Sequence, residues 1–420
     1  MTIASEQPQG SFRLSMLVYD TRFRSWTIQI VVLILVALAC SWLIHNLVTN
    51  LAAKGKDIDF GFLWTRAGYD INQRLVAYTN DSTHARALLI GLLNTLLVAS
   101  LGCLLATVIG VMVGILRLSS NWLIARLMTV YVEVFRNIPV LLWILLAFVI
   151  LTEVTPPPNA FKVVEGKEPL AQMWLDGSVA VTNRGTNIPE PLFSRSLGNI
   201  DLGIFLVSVD LLAIIAVMVG SFLVNRRVIR SATATQEATG IRPATWWKSA
   251  LIWAVPVPVL LYVLGFHLAY PAFKGFNFTG GIQVLHSFTA LLIALSIYTG
   301  AFIAEAVRAG VQAISPGQTE AAYALGLPAG RTMRLVVLPQ ALRVIIPPLI
   351  SQYLNLTKNT SLAIAVSYMD LRGTLGGITL NQTGRELECM LLLMGIYLVI
   401  SLIISSVMNI YNNAVRLKER

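Results

Sequence analysis

The sequence predicts an all-α polytopic membrane protein with about eight transmembrane helices. Of its 420 residues, 56% are hydrophobic and 12% charged, about half the charged fraction of a soluble chain. The mean hydropathy of +0.71 agrees. The apolar residues gather in runs of twenty or more, the length that crosses a bilayer. The net charge of +10 does not indicate nucleic-acid binding, because the basic residues are spread between apolar runs and do not line one face. They read as topology determinants.

Spans are expected at 27–49, 88–116, 124–152, 200–224, 248–270, 286–312, 335–356 and 386–413. The first contains Ala37-Leu38-Ala39, which imitates a signal-peptidase site. The run continues through Trp42-Leu43-Ile44, however, and roughly two dozen residues precede it, so a retained helix is expected. Arg13, Arg22 and Arg24 before it place the N-terminus in the cytoplasm by the positive-inside rule. Alternation puts Arg117 and Arg126 on the same side, with Arg226, Arg227, Arg230, Arg242 and Lys248, then Arg331 and Arg334, then Arg416, Lys418 and Arg420. The long segments 50–87 and 153–199 fall on the opposite side. The second opens with Pro156-Pro157-Pro158 and carries Lys167, Asp176, Asn183, Gly185, Asn187 and Pro189, the composition of an ordered or semi-ordered loop. Trp26, Trp42, Trp122, Trp246 and Trp247 stand near span ends as interfacial anchors. Pro347-Pro348, and Pro256 with Pro258, should kink their helices.

Little in the chain points to enzymatic chemistry. Cys40, Cys103 and Cys389 sit in apolar runs without metal-ligand spacing and read as packing residues. His45, His84, His267 and His286 form no H-E-x-x-H arrangement, and no G-x-x-x-x-G-K-[ST] phosphate loop occurs. Any ATP that drives this protein must be bound elsewhere.

Between the sixth and seventh spans stands Glu320-Ala321-Ala322-Tyr323-Ala324-Leu325-Gly326, followed by Leu338-Pro339. Alanines let a partner approach a short helix closely, Gly326 permits a sharp turn, and Pro339 marks where the next helix begins or kinks. An ordinary amphipathic loop helix is the plain alternative. Three further patterns accompany it: Glu133-Val134-Phe135-Arg136-Asn137-Ile138-Pro139, Tyr298 to Gly310 with Glu305 and Arg308, and Thr357-Lys358-Asn359-Thr360-Ser361-Leu362. Asn94-Thr95 stands in the second span.

These patterns, in this order, resemble the permease subunits of polar-amino-acid ABC importers of the histidine/glutamine type, over about residues 85–150 and 285–415. The seven-residue stretch at 320–326 looks like that family's EAA motif, which meets the ATPase. The resemblance implies a type I ABC-importer permease core with extra helices. The chain then divides into a cytoplasmic segment 1–26, an extra first helix and periplasmic loop 27–87, and a first core part 88–152. An inserted loop with two extra helices follows at 153–284, then a second core part 285–413 containing the coupling loop 313–340, and a cytoplasmic tail 414–420. The enlarged plan is similar to the larger permeases of general L-amino-acid importers of proteobacteria. It implies an inner-membrane complex with a second permease subunit as heterodimer, two ATPase subunits holding ATP-Mg, and a periplasmic amino-acid-binding protein. This chain itself would hold no cofactor or metal and do no catalysis. Glu320, Ala321, Ala322, Gly326, Leu338 and Pro339 would form the ATPase-coupling segment. The insertion departs from the minimal pattern, and no site residue carries over into it.

Glu133 with Arg136, and Glu305 with Arg308, sit three apart on one helical face each. A lone charge at a bilayer centre costs roughly 2.5–3.5 kcal/mol on insertion scales, and pairing lowers that cost. Two roles stand open, a gate or translocation path and a structural ion pair. Lys358, Asn359, Thr360 and Ser361 offer donors that hold a zwitterionic substrate or cap helix ends. Asp210 lacks a partner at helical spacing, and either carries a proton or cation or makes a buried polar contact. Arg343 is expected to snorkel toward the cytoplasm. Against ATP-driven import of L-amino acids stand an ion-coupled secondary transporter using Asp210 and the Glu–Arg pairs, a non-transporting scaffold, and an importer for opines or similar solutes.

Overall fold

A computed structural model describes residues 21–53, 55, 57–162, 169–201, 203 and 206–415. Arg13, Lys167, Arg416, Lys418 and Arg420 lie outside them. The chain forms two units, Met1–Phe60 and Gly61–Arg420. The first holds one 33-residue helix, α1 (Thr21–Ala53), about 50 Å long at 1.5 Å per residue.

The second unit is built on α2 (His84–Leu116) and α8 (His286–Gln312). Small residues let their backbones approach, as in membrane helix pairs. A Cβ at Gly110 would meet Ile303 at 2.6 Å, and one at Gly114 would meet Val307 at 2.8 Å. Leu291, Leu295 and Ile303 of α8 are fully buried, joined by Val98 of α2 and Ile144 of α4 (Val140–Val154). The core also takes Ala341 and Leu356 from α10 (Leu338–Asn359). Eight helical segments among the described residues have the length and composition of membrane spans.

Several boundaries differ from expectation, each for a local reason. The third expected span, 124–152, is broken: α3 (Trp122–Asn137) ends at Ile138, and α4 begins after Pro139. Ile138 takes extended angles (φ −104°, ψ 133°), as the residue before a proline is driven to do. Asn121 caps α3 by accepting from the Leu123 and Ile124 amides. The fourth span begins at 209, because 200 belongs to a hairpin of β4 (Asn199–Asp201) and β5 (Leu206–Ser208). Helix α5 (Val209–Thr239) then continues well beyond 224 and closes on Gly240 at φ +72°. The fifth breaks where its prolines are expected to kink it, at Pro256, between α6 (Trp246–Ala254) and α7 (Pro256–Val263).

In the segment 153–284, β1 (Ala180–Thr182), β2 (Gly185–Ile188) and β9 (Ile282–Val284) form one antiparallel sheet, with Thr186 opposite Val284. β3 (Glu190–Phe193) pairs with β6 (Phe266–Ala269), and β7 (Ala272–Lys274) with β8 (Asn277–Thr279). The strands leading into α5 are thus bonded to those leaving α7.

After α8 come α9 (Pro316–Ala324) and a single span from Ala329 to Val366 that contains α10. Its approach to Pro339 is a π-helical turn, Met333–Val337, a widening that suits a residue without an N–H. Pro347 and Pro348 lie inside α10. Short helical turns fill 371–383, and α11 (Glu386–Val415) ends the described chain.

Candidate functional site

The α9 segment is nine residues long, opens on Pro316, and stops where Gly326 takes φ +77°. The Leu327 amide donates to Ala322 O at 3.1 Å and the Gly326 amide to Tyr323 O at 2.9 Å. This is a Schellman closure, which places a glycine in the left-handed region. Glu320, Ala321, Tyr323 and Leu325 are exposed. Ala322 is buried within the chain's own fold, so of the two alanines expected to admit a partner, only Ala321 faces outward. Gln340 Nε2 of α10 donates to Gln318 Oε1 at 3.3 Å, tying α9 to the following span. Leu338 and Pro339 begin α10.

The expected Glu133–Arg136 pair does not form. Arg136 lies 3.9 Å from Glu305 on α8, and its guanidinium stands 5.3 Å from the Phe302 ring centre. Glu133 is exposed, and its carboxylate accepts from Asn137 Nδ2 at 3.4 Å. The Glu305–Arg308 pair does form, at 2.5 Å, and Arg308 also donates to Gln312 Oε1. Arg117, expected only as a topology residue, caps α2 and meets Glu305 Oε2 at 2.5 Å with its side chain 8% exposed. One carboxylate thus holds arginines from α3, α8 and the end of α2, joining three helices. Helical spacing could not reveal Arg117 or the turn of Arg136, because both contacts cross between elements.

The four residues 358–361 differ in placement. Lys358 and Asn359 end α10, and Thr360 opens a 3-10 turn (Thr360–Val366). Thr360 is fully buried and donates to Thr357 O at 2.8 Å. Ser361 Oγ donates to Lys358 O at 2.8 Å. Lys358 and Ser361 line a pocket of about 440 Å³ against α11, within the roughly 300–1,000 Å³ of small-molecule sites. Asn359 and Thr360 do not line it. Arg372 and Tyr397 do, as do Met390 and Met394. Neither Arg372 nor Tyr397 carries a motif signal.

The segment bearing Arg372 is clamped. Asn94 Nδ2 donates to Gln73 O at 2.9 Å and to Met369 O at 2.8 Å, and the Leu371 amide donates to Thr95 Oγ1 at 3.0 Å. Tyr368 OH donates to Asn94 O at 3.3 Å. Asp370, between the seventh and eighth spans, is fully buried and caps the next turn by accepting from Gly373 N at 2.8 Å. Tyr397 OH donates to its other oxygen at 3.3 Å. Burial pushes the Asp370 carboxyl up to about 6, against the pull of these hydrogen bonds. Asp210 has partners as well: it sits in the first turn of α5, buried, accepting from Ser196 Oγ at 2.6 Å and the Leu197 amide at 2.8 Å. Its place is a buried polar contact at a helix start, away from the middle of a span.

Eight span-length apolar helices among the described residues, a close small-residue pair α2–α8 in the second unit, and a short exposed helix between the sixth and seventh spans fit a membrane transport permease. Residues 249–417 match the family described as "Binding-protein-dependent transport system inner membrane component". The glutamate/glutamine/aspartate/asparagine transport system permease protein BztB of Rhodobacter capsulatus is 67% identical over the whole of both chains. The general L-amino acid transport system permease protein AapQ of Rhizobium johnstonii is 45% identical over 98% of this chain and 96% of its own. A solved amino acid ABC transporter with histidines aligns at TM-score 0.43 and 18% identity, over 79% of this chain and 95% of its own. The chain belongs to the amino-acid ABC-transporter permeases, multi-pass components of the inner membrane. That membership sets aside the ion-coupled transporter, the scaffold and the opine importer.

Proposed function

We propose that this chain carries polar L-amino acids inward from the periplasm by alternating access, driven by ATP bound on separate subunits. The single observation behind the coupling step is α9: a short helix with Glu320 exposed, joined to α8 on one side and bonded to α10 on the other. A partner pressing on α9 moves both spans. One of two ATPase subunits would dock there, with Glu320 and Ala321 at the contact and Gly326 setting the turn. A second permease subunit completes the channel, and a periplasmic binding protein delivers cargo. The four amino acids in the name of the 67% identical relative are the cargo range favoured here. Both termini and α9 then face the cytoplasm.

The test is uptake of labelled amino acids into proteoliposomes holding the whole complex, with ATP on the ATPase side, binding protein on the other, and no ion gradient. ATP-dependent uptake is expected. Uptake that needs a proton or sodium gradient and ignores ATP would overturn the proposal.

A further inference from the structure

The pocket against α11 has an unbalanced charge. Lys358 and Arg372 line it, and no acidic residue does. Among the described residues neither cation has a carboxylate within ion-pair distance. Asp370 is fully buried, with its oxygens engaged by Gly373 N and Tyr397 OH, and does not line the space. The pocket lies against two membrane spans, Ala329–Val366 and Glu386–Asn412; Lys358, inside the first, stands without a carboxylate partner where a charge is costly, while Arg372, on the segment between them, feels the Asp370 carboxylate only through space. The rest of the lining suits a small flexible solute. Met390 and Met394 give an adaptable apolar wall, while the hydroxyls of Ser361 and Ser401 can accept hydrogen bonds. The backbone is fixed on both sides of Arg372, by Asn94 and Thr95 at Met369 O and Leu371 N before it and by Asp370 at Gly373 N after it. A fixed backbone limits where its charge can go, and that favours discrimination by charge.

We propose that this pocket is a cargo site selective for anionic amino acids. Lys358 and Arg372 receive the two carboxylates of a dicarboxylic amino acid, and the serine hydroxyls accept from its α-ammonium. An amide side chain loses one charge-assisted contact and binds less well. A cationic side chain meets like charge and is rejected. The inference rests on the import function proposed above and adds the residues that choose among its cargos.

The test uses the full complex in proteoliposomes with one binding protein throughout, so that a change in preference belongs to the permease. Labelled L-glutamate and L-glutamine are offered together to the unaltered complex and to Arg372→Gln, Arg372→Lys and Lys358→Gln. Each glutamine variant should lower the glutamate-to-glutamine uptake ratio about tenfold, the size of one lost charge-assisted contact. Arg372→Lys should recover part of it, and ATP hydrolysis stimulated by the binding protein should persist in all. An unchanged ratio in both glutamine variants overturns the inference and leaves import standing. So does parallel loss of both cargos with hydrolysis intact. Failure of the unaltered complex to import either amino acid with ATP overturns the import function, and this inference with it.

Discussion

At the scale of the residue, Glu305 and Asp370 carry the sharpest consequences. Glu305 is the carboxylate on which Arg117, Arg136 and Arg308 converge. Replacing it by Gln leaves these guanidiniums facing one another at the junction of three helices. Loss of one partner from a largely buried ion pair costs on the order of 3 kcal/mol, and the more exposed Arg136 arm adds little. Glu305→Gln should lower the unfolding midpoint in detergent by several degrees, while Glu133→Gln, at an exposed carboxylate, should not move it. Asp370 predicts a pH dependence. Its folded-state pKa of about 6 stands above an unfolded value near 4, so the folded protein prefers the protonated acid. The contribution to stability is fully present below pH 4 and is lost as pH rises through 6. Asn at this position keeps an acceptor for Gly373 N without the ionisation. Denaturation between pH 4 and 7 should therefore show Asp370→Asn gaining on the unaltered protein as pH rises. A constant difference would count against the buried carboxyl.

At the scale of the element, the clearest case is α9. Gly326 sits at φ +77° with open space around it, so a side chain there strains the backbone without a clash. Gly326→Asp should leave the protein folded and in the membrane but tilt α9 away from its docking position. ATP hydrolysis should then lose its stimulation by binding protein, and uptake should fall below a tenth. Normal uptake by that variant would refute the coupling role. The seven-residue pattern at 320–326 was legible because a short capped helix is specified by its own residues. The eight spans were legible because a bilayer imposes length and apolarity on each one separately. The break at Pro139 is masked by an apolar run that continues on both sides of it, and Ile138-Pro139 is its one local signal. Arg117 and Arg372 could not be found that way. Their meaning lies in what stands opposite them, and sequence spacing within one helix is blind to a partner on another.

At the scale of the whole molecule, the open prediction is sidedness. With Cys40, Cys103 and Cys389 replaced by Ala, a single cysteine at Asn199, exposed in the β4 strand, should react with an impermeant maleimide applied to the periplasmic face. One at Glu320 should react only from the cytoplasmic face, and binding of the ATPase should shield it. The reverse pattern would invert the direction assigned to transport.

The bonding of β2 to β9 has a bearing on how such a chain could arise. Thr186 lies opposite Val284, so the polypeptide departs on its excursion through α5–α7 and returns at nearly the same point. To the trunk formed by α2, α4 and α8, everything in between is a side branch on one stem. Such a branch can lengthen, shorten or acquire new surfaces over generations without shifting the trunk's register. A change of length there leaves the Gly110–Ile303 and Gly114–Val307 contacts as they are.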